Sequence, residues 1–101
     1  MALRVDPEEN EINALFRLAS LGGKRVLEIG SGDGRLTWRF GHQAGFVTAI
    51  EPFAESVKRA KRDLPSFLKD RVRLLHIGFE EFAARTRSES FDIALLSWAL
   101  C

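Results

Sequence analysis

The feature that most constrains this chain is a run of alternating glycines, Gly30-Ser31-Gly32-Asp33-Gly34. It follows directly on the apolar run Arg25-Val26-Leu27-Glu28-Ile29 and precedes a helical pattern with Leu36 and Phe40 four apart. Glycine tolerates positive φ and lets a ligand approach the backbone closely. The helix that follows presents free N–H groups at its N-terminus. In open α/β sheets, ligands bind beyond the carboxyl ends of the strands, beside the point where the strand order reverses. Gly30, Gly32 and Gly34 lie at such an end, so the loop reads as binding machinery.

The rest of the chain repeats the strand-helix alternation. Asp6-Pro7-Glu8-Glu9 is a helix start, and Ile12, Leu15, Phe16 and Ala19 form one apolar face that ends at Gly22-Gly23. Phe46 to Ile50 is a second strand, closed by Glu51-Pro52. Phe53, Val57, Ala60 and Leu64 then share a helical face, with Lys and Arg opposite, and Pro65 breaks the helix. Val72 to Ile77 is a third strand, Phe79 to Ala84 a short helix, and Phe91 to Leu96 a fourth strand. Strands separated by helical crossovers predict parallel pairing in a doubly wound α/β sheet. Neither a repeat nor an interdomain linker interrupts residues 1–101, which read as one domain. The apolar stretch from Ile93 to Leu100 reaches Cys101 with no cap after it, as in a fold interrupted after its fourth strand.

A glycine-rich turn alone is a weak signal. Glu51, at the end of the next strand, strengthens it, because an acid there can accept two hydrogen bonds from a ribose diol. The dinucleotide spacing is G-x-G-x-x-G, and this loop is one residue tighter. Glu28 precedes the loop and Asp33 lies inside it, with only Arg35 offsetting them nearby. Such acids repel a pyrophosphate. They suit S-adenosylmethionine, whose sulfonium and ammonium outweigh its one carboxylate.

Val26 to Gly34 resembles motif I (E/D-x-G-x-G-x-G) of the class I, Rossmann-like, S-adenosylmethionine-dependent methyltransferases. Thr48-Ala49-Ile50-Glu51-Pro52 is similar to their acidic motif after the second strand, and Phe91 to Ser97 to their fourth strand. The resemblance implies a partial doubly wound sheet of four strands in the order 3-2-1-4, with helices on both faces. It implies that Glu28 and the backbone of Gly30, Ser31 and Gly32 hold the methionine end of the cofactor. Glu51 would hold the ribose hydroxyls, Phe79 and Glu80 would flank the adenine, and Ser97 would line the floor near the methionine. Many relatives place Asp directly after the glycine equivalent to Gly78. This chain has Phe79 there, leaving Glu80 to take the adenine amino group or Phe79 to pack on the ring. The function implied is methyl transfer to an unidentified acceptor, with no catalytic base identifiable. The alternatives are a non-catalytic nucleotide- or partner-binding module that keeps the cofactor cradle, and a dinucleotide-dependent oxidoreductase fragment, against which the tight spacing and acidic loop argue.

Composition excludes other classes. Net charge is +1, so no global field draws the chain to nucleic acid or membrane, and the run Lys58, Arg59, Lys61 and Arg62 reads as a solvated helix face. The start turns polar at once, with no signal-peptide core, and no apolar run approaches a membrane span. A single cysteine excludes a disulfide framework and fits a reducing, cytoplasmic setting. His42 and His76 have no acidic spacing for a metal site. Ser31 and Ser97 lack a nucleophile elbow. Trp38 and Trp98 read as packing residues. In the expected strand order, Phe91 to Leu96 forms an open apolar edge without charge or proline after Ile93, which predicts self-association through that edge.

Overall fold

The computed structural model describes residues 2–5, 22–87 and 90–97. The expected first helix, Trp98 and Cys101 lie outside the described residues. In chain order the elements are β1 (Ala2–Val5), β2 (Arg25–Ile29), α1 (Arg35–Phe40), β3 (Phe46–Glu51), α2 (Ala54–Asp63), a 3₁₀ turn (Ser66–Leu68), β4 (Val72–His76), α3 (Phe79–Arg85) and β5 (Ile93–Leu96). All pairs are parallel and the sheet order is β1-β5-β2-β3-β4. The four expected strands therefore stand in the expected order. The chain steps outward from β2 to β3 to β4, then returns to place β5 on the other side of β2. That reversal opens a crevice beyond the carboxyl ends of β2 and β5.

Alternation along the strands divides the core in two. Val26, Val47, Ala49, Val72, Leu74, Ile93 and Leu95 face α1 and α2, where Phe40, Ala60 and Leu68 meet them. Leu27, Ile29, Ile50 and Ala94 face the other way, against Phe82 of α3. Helices thus cover both faces. Strands buried on both sides read as continuous apolar runs, which is why β2, β3 and β5 were legible as strands.

Two expectations need correction. The strand ending at Leu96 is not an open edge. Ala2–Val5 runs parallel along its outer side, with Ala2 opposite Ile93 and Val5 opposite Leu96. The template for self-association through that edge is occupied by the chain itself. Four residues with Arg4 among them, directly before a helix signal, are too few to register as a strand by alternation. That strand also begins at Ile93, not Phe91. Asp92 accepts the Arg25 N–H at 2.8 Å and its guanidinium at 3.1 Å, which bends the chain into β5, while the Phe91 ring packs 5.9 Å from that of Phe82. Among the described residues, no helix is long and apolar enough to cross a membrane.

Phe40 is fully buried between α1 and the sheet, whereas Phe46, at the start of β3, is 39% exposed. Phe40→Ala is expected to cost about 3–5 kcal/mol of stability, and Phe46→Ala less than about 2 kcal/mol. Urea denaturation of the two variants measures the difference, and equal losses would place the core elsewhere.

Candidate functional site

The site begins where β2 ends. Gly30 turns at φ 77, and the N–H groups of Gly30 and Ser31 both donate to the Ile50 carbonyl at 2.9 and 3.1 Å. This extends the β2–β3 pairing around the bend. Gly34 closes the loop, its N–H donating to the Ser31 carbonyl at 3.1 Å. The later glycines serve different ends. Gly32 has φ +59, and a Cβ there would meet nothing within 4 Å, because it would project into open space. Gly34 has φ +91, and a Cβ there would lie 2.3 Å from the Trp38 ring. Gly34 is therefore required by packing, and Gly32 leaves room beside the loop.

Glu51, at the end of β3, is 5% exposed. Its carboxylate accepts the Gly32 N–H at 2.8 Å on one oxygen and the Phe53 N–H at 3.0 Å on the other. It joins the glycine loop to the turn that starts α2. The His76 Nε2 donates to the Pro52 carbonyl at 3.0 Å, and the Ile77 N–H donates to the Glu51 carbonyl at 3.1 Å, so the β4 end braces the same turn.

These loops enclose a cavity of about 420 Å³, lined among others by Gly30, Gly32, Glu51, Phe53, Ile77 and Phe79. Its walls are largely apolar around a single carboxylate, and its size lies within the range of small-molecule sites. Such a cavity accommodates a flat apolar ring and a hydrogen-bond-donating diol.

Behind the loop lies a second carboxylate. Glu28 is fully buried, on the face shared by Val26 and α1. It accepts hydrogen bonds from the Thr37 hydroxyl of α1 and from the Ser97 hydroxyl, at 2.5 Å, just past β5. Burial pushes its carboxyl up to about 7; the two hydroxyls pull the other way, and Glu51 adds to the rise.

Of the expected site residues, Gly30, Gly32, Glu51 and Phe79 line one cavity. Glu28, Ser31 and Ser97 are buried behind it, and Glu80 is exposed in the first turn of α3, outside the lining. The sequence places Phe53 on one helical face with Val57, Ala60 and Leu64. It is instead the residue before α2, in extended conformation and 71% exposed at the cavity mouth. The Glu51 carboxylate holds its N–H and delays the helix by one residue. Thr37 is a site residue that the sequence pattern does not mark; its only signal is that a buried acid on the strand needs a donor, here from the helix across the glycine loop. Among the described residues, no group of His, Cys, Asp or Glu could hold a metal ion.

The model of a methyltransferase domain family matches residues 27–101. The chain is 30% identical over 96 residues to phosphoethanolamine N-methyltransferase 1 of Triticum aestivum, covering 95% of this chain and 19% of that protein. It is 36% identical over 74 residues to the ubiquinone biosynthesis O-methyltransferase of Psychrobacter cryohalolentis, covering 72% and 28%. Among solved structures, it resembles a SAM-dependent methyltransferase from Thiobacillus denitrificans in complex with S-adenosyl-L-homocysteine, with a TM-score of 0.62 and 26% identity over 89% of this chain and 36% of that one. The chain thus spans roughly a fifth to a quarter of the length of the curated relatives it matches.

The two glycines separate on substitution. Gly34→Ala meets both positive φ and the Trp38 ring and is expected to cost about 3 kcal/mol. Gly32→Ala meets only the backbone strain, about 1 kcal/mol. Urea midpoints measure both, and equal costs would refute the distinction. Glu28 gives a pH signature. Its folded pKa lies above its unfolded value, so the folded state keeps the proton longer. The Glu28 contribution to stability is full below about pH 4.5 and is lost as pH rises through about 7, by up to about 3 kcal/mol. Glu28→Gln is expected to remove this slope. Denaturation curves between pH 4.5 and 8 check it, and an unchanged slope in the variant would assign the titration elsewhere.

Proposed function

The chain belongs to the methyltransferase domain family, in its class I S-adenosylmethionine-dependent form, and from that premise we propose that it supplies the S-adenosylmethionine cradle for methyl transfer to an acceptor still to be identified. The observation that carries this reading is the Glu51 carboxylate standing in a largely apolar cavity, beside a glycine loop whose amides are already engaged. A carboxylate offers about four acceptor positions. Two are taken by Gly32 and Phe53, which leaves capacity for the two ribose hydroxyls. Phe53, Ile77 and Phe79 supply apolar walls for the adenine. Of the two expected roles at this turn, the cavity supports Phe79 packing on the adenine, since Phe79 lines it and Glu80 does not.

The methionine end belongs over the carboxyl ends of β2 and β5. There the Gly30–Gly32 backbone forms the wall and Glu28 acts from behind it, holding Ser97 and Thr37. The bound cofactor supplies a methyl group on a sulfonium, ready for in-line displacement. What these residues contribute is position: holding donor and acceptor close in a fixed orientation replaces a bimolecular encounter. The single cysteine supports a cytoplasmic setting.

Calorimetric titration with S-adenosylmethionine, S-adenosylhomocysteine and NAD tests the reading. The first two are expected to bind and NAD to bind more weakly or not at all; tighter binding of NAD would overturn it. A hydrogen bond to a charged group contributes roughly 1.5–3 kcal/mol. Glu51→Ala should therefore weaken S-adenosylmethionine binding by roughly 10- to 150-fold. An unchanged affinity in a folded variant would remove Glu51 from the ribose.

A further inference from the structure

Net charge of +1 conceals an asymmetry. From Ala54 to His76 the chain carries seven Lys and Arg against three Asp and Glu, whereas the remainder carries eight against eleven. The structure gathers that excess on one margin of the molecule. α2, the 3₁₀ turn and β4 follow one another along the outer side of the sheet, where β4 is the last strand. Lys58, Arg59, Lys61 and Arg62 are all exposed on α2, and Lys69 is exposed just beyond the turn. Glu55 engages Lys58 at 3.7 Å and Asp63 engages Arg62 at 3.0 Å. Among the described residues, no salt bridge holds Arg59, Lys61 or Lys69. All three face solvent, with Arg59 partly offset by the nearby charge of Asp63.

An exposed aromatic side chain lies in the turn that follows α2, two residues before Lys69. Phe67 is 69% exposed, although its neighbour Leu68 is fully buried in the core. The turn that carries both is held by its own backbone: the Leu68 N–H donates to the Pro65 carbonyl at 3.0 Å, and the Arg71 N–H to the Leu68 carbonyl at 2.9 Å. Leu68 anchors the turn, so the Phe67 ring is presented outward from a fixed base. A single exposed Phe is ordinary by itself. An exposed aromatic ring in the turn that follows a row of exposed cations is the combination that binds a polyanion carrying flat rings, with cations along the backbone and the ring under a base.

We propose that α2 and the 3₁₀ turn form a docking surface for a single-stranded polynucleotide. A duplex hides its base faces from Phe67. An acidic peptide satisfies the cations and leaves the ring bare. A lipid surface needs an apolar face, but the apolar side of α2, Val57 and Ala60, is already buried against the sheet. The α2 helix starts at the turn that lines the cofactor cavity and runs about 15 Å away from it, so the turn that carries Phe67 follows the end of α2 remote from the cleft. The proposal is independent of which nucleotide the cleft holds.

The test uses the full chain and a fluorescently labelled single-stranded RNA of roughly 12 nucleotides, followed by anisotropy at several salt concentrations. Heparin serves as a polyanion without bases, and phosphatidylserine vesicles as an anionic surface. Binding of the RNA at low salt is expected. The double variant Arg59→Glu, Lys61→Glu should weaken it at least tenfold and flatten the logarithmic salt dependence by about 1 or more. Phe67→Ser should weaken RNA binding by roughly 5- to 150-fold and leave heparin binding unchanged, while Phe67→Trp restores it. Unaltered circular dichroism and S-adenosylmethionine affinity in these variants show that the fold is intact. Failure to bind RNA at low salt would overturn the proposal. So would equal sensitivity of heparin and RNA to Phe67→Ser, or preferential binding to the vesicles.

Discussion

The cleft depends on one carboxylate. Glu51 takes the Gly32 N–H on one oxygen and the Phe53 N–H on the other, so a single side chain fixes the distance between the glycine loop and the turn into α2. Hydrogen bonds to a carboxylate are short and roughly twice as strong as neutral ones, and at 5% exposure water offers little competition. Both loops project from the ends of neighbouring strands, and the register that places Ile29 beside Ile50 brings them within reach. The sheet thus sets the position of the carboxylate, and the carboxylate sets the shape of the loops. Its remaining acceptor capacity points into the cavity that the loops define.

Glu28 is the counterpart of Glu51 in a drier place. Two residues before the loop, it sits on the buried face of β2, and an isolated charge there would be costly. The hydroxyls of Thr37 and Ser97 reduce that cost and in doing so tie β2 to α1 and to the end of β5. The two acids therefore divide the work. Glu51 organises the open side of the loop and keeps capacity for a ligand. Glu28 holds the three elements behind the loop together, and burial raises its pKa toward neutrality.

Much of this was legible in the residues because local and global signals agree there. The apolar runs of β2, β3 and β5, the glycines between β2 and α1, and the acid closing β3 all announce themselves within a few positions; parallel pairing follows from the helical crossovers, and the strand order from the resemblance to the family. What escaped reading depends on particular contacts rather than on pattern. Ala2–Val5 is too short to show a period, and it is a strand only because β5 offers an edge. Phe53 fits the helical face of Val57 and Ala60, and only the grip of Glu51 on its N–H places it at the cavity mouth. Thr37 is an unremarked helix residue until the burial of Glu28 demands a donor. In each case a specific hydrogen bond or strand pairing, local for Phe53 and longer-range for the others, overrode the periodic pattern.

The selection of ligand by the loop follows from where its amides point. In a phosphate cradle, successive N–H groups and a helix N-terminus converge on the anion. Here the N–H groups of Gly30 and Ser31 converge on the Ile50 carbonyl and that of Gly32 on Glu51. α1 is only six residues long, and Asp33 already accepts its first N–H, that of Arg35, at 3.2 Å. A pyrophosphate entering the cleft would have to displace a protein acceptor from each of these amides and settle beside the carboxylates of Glu51 and Asp33. A ligand with a cationic centre and a free diol meets none of these costs. The spacing of the glycines shapes the loop, but the engagement of its amides by protein acceptors sets the sign of the site, and the sign chooses the nucleotide.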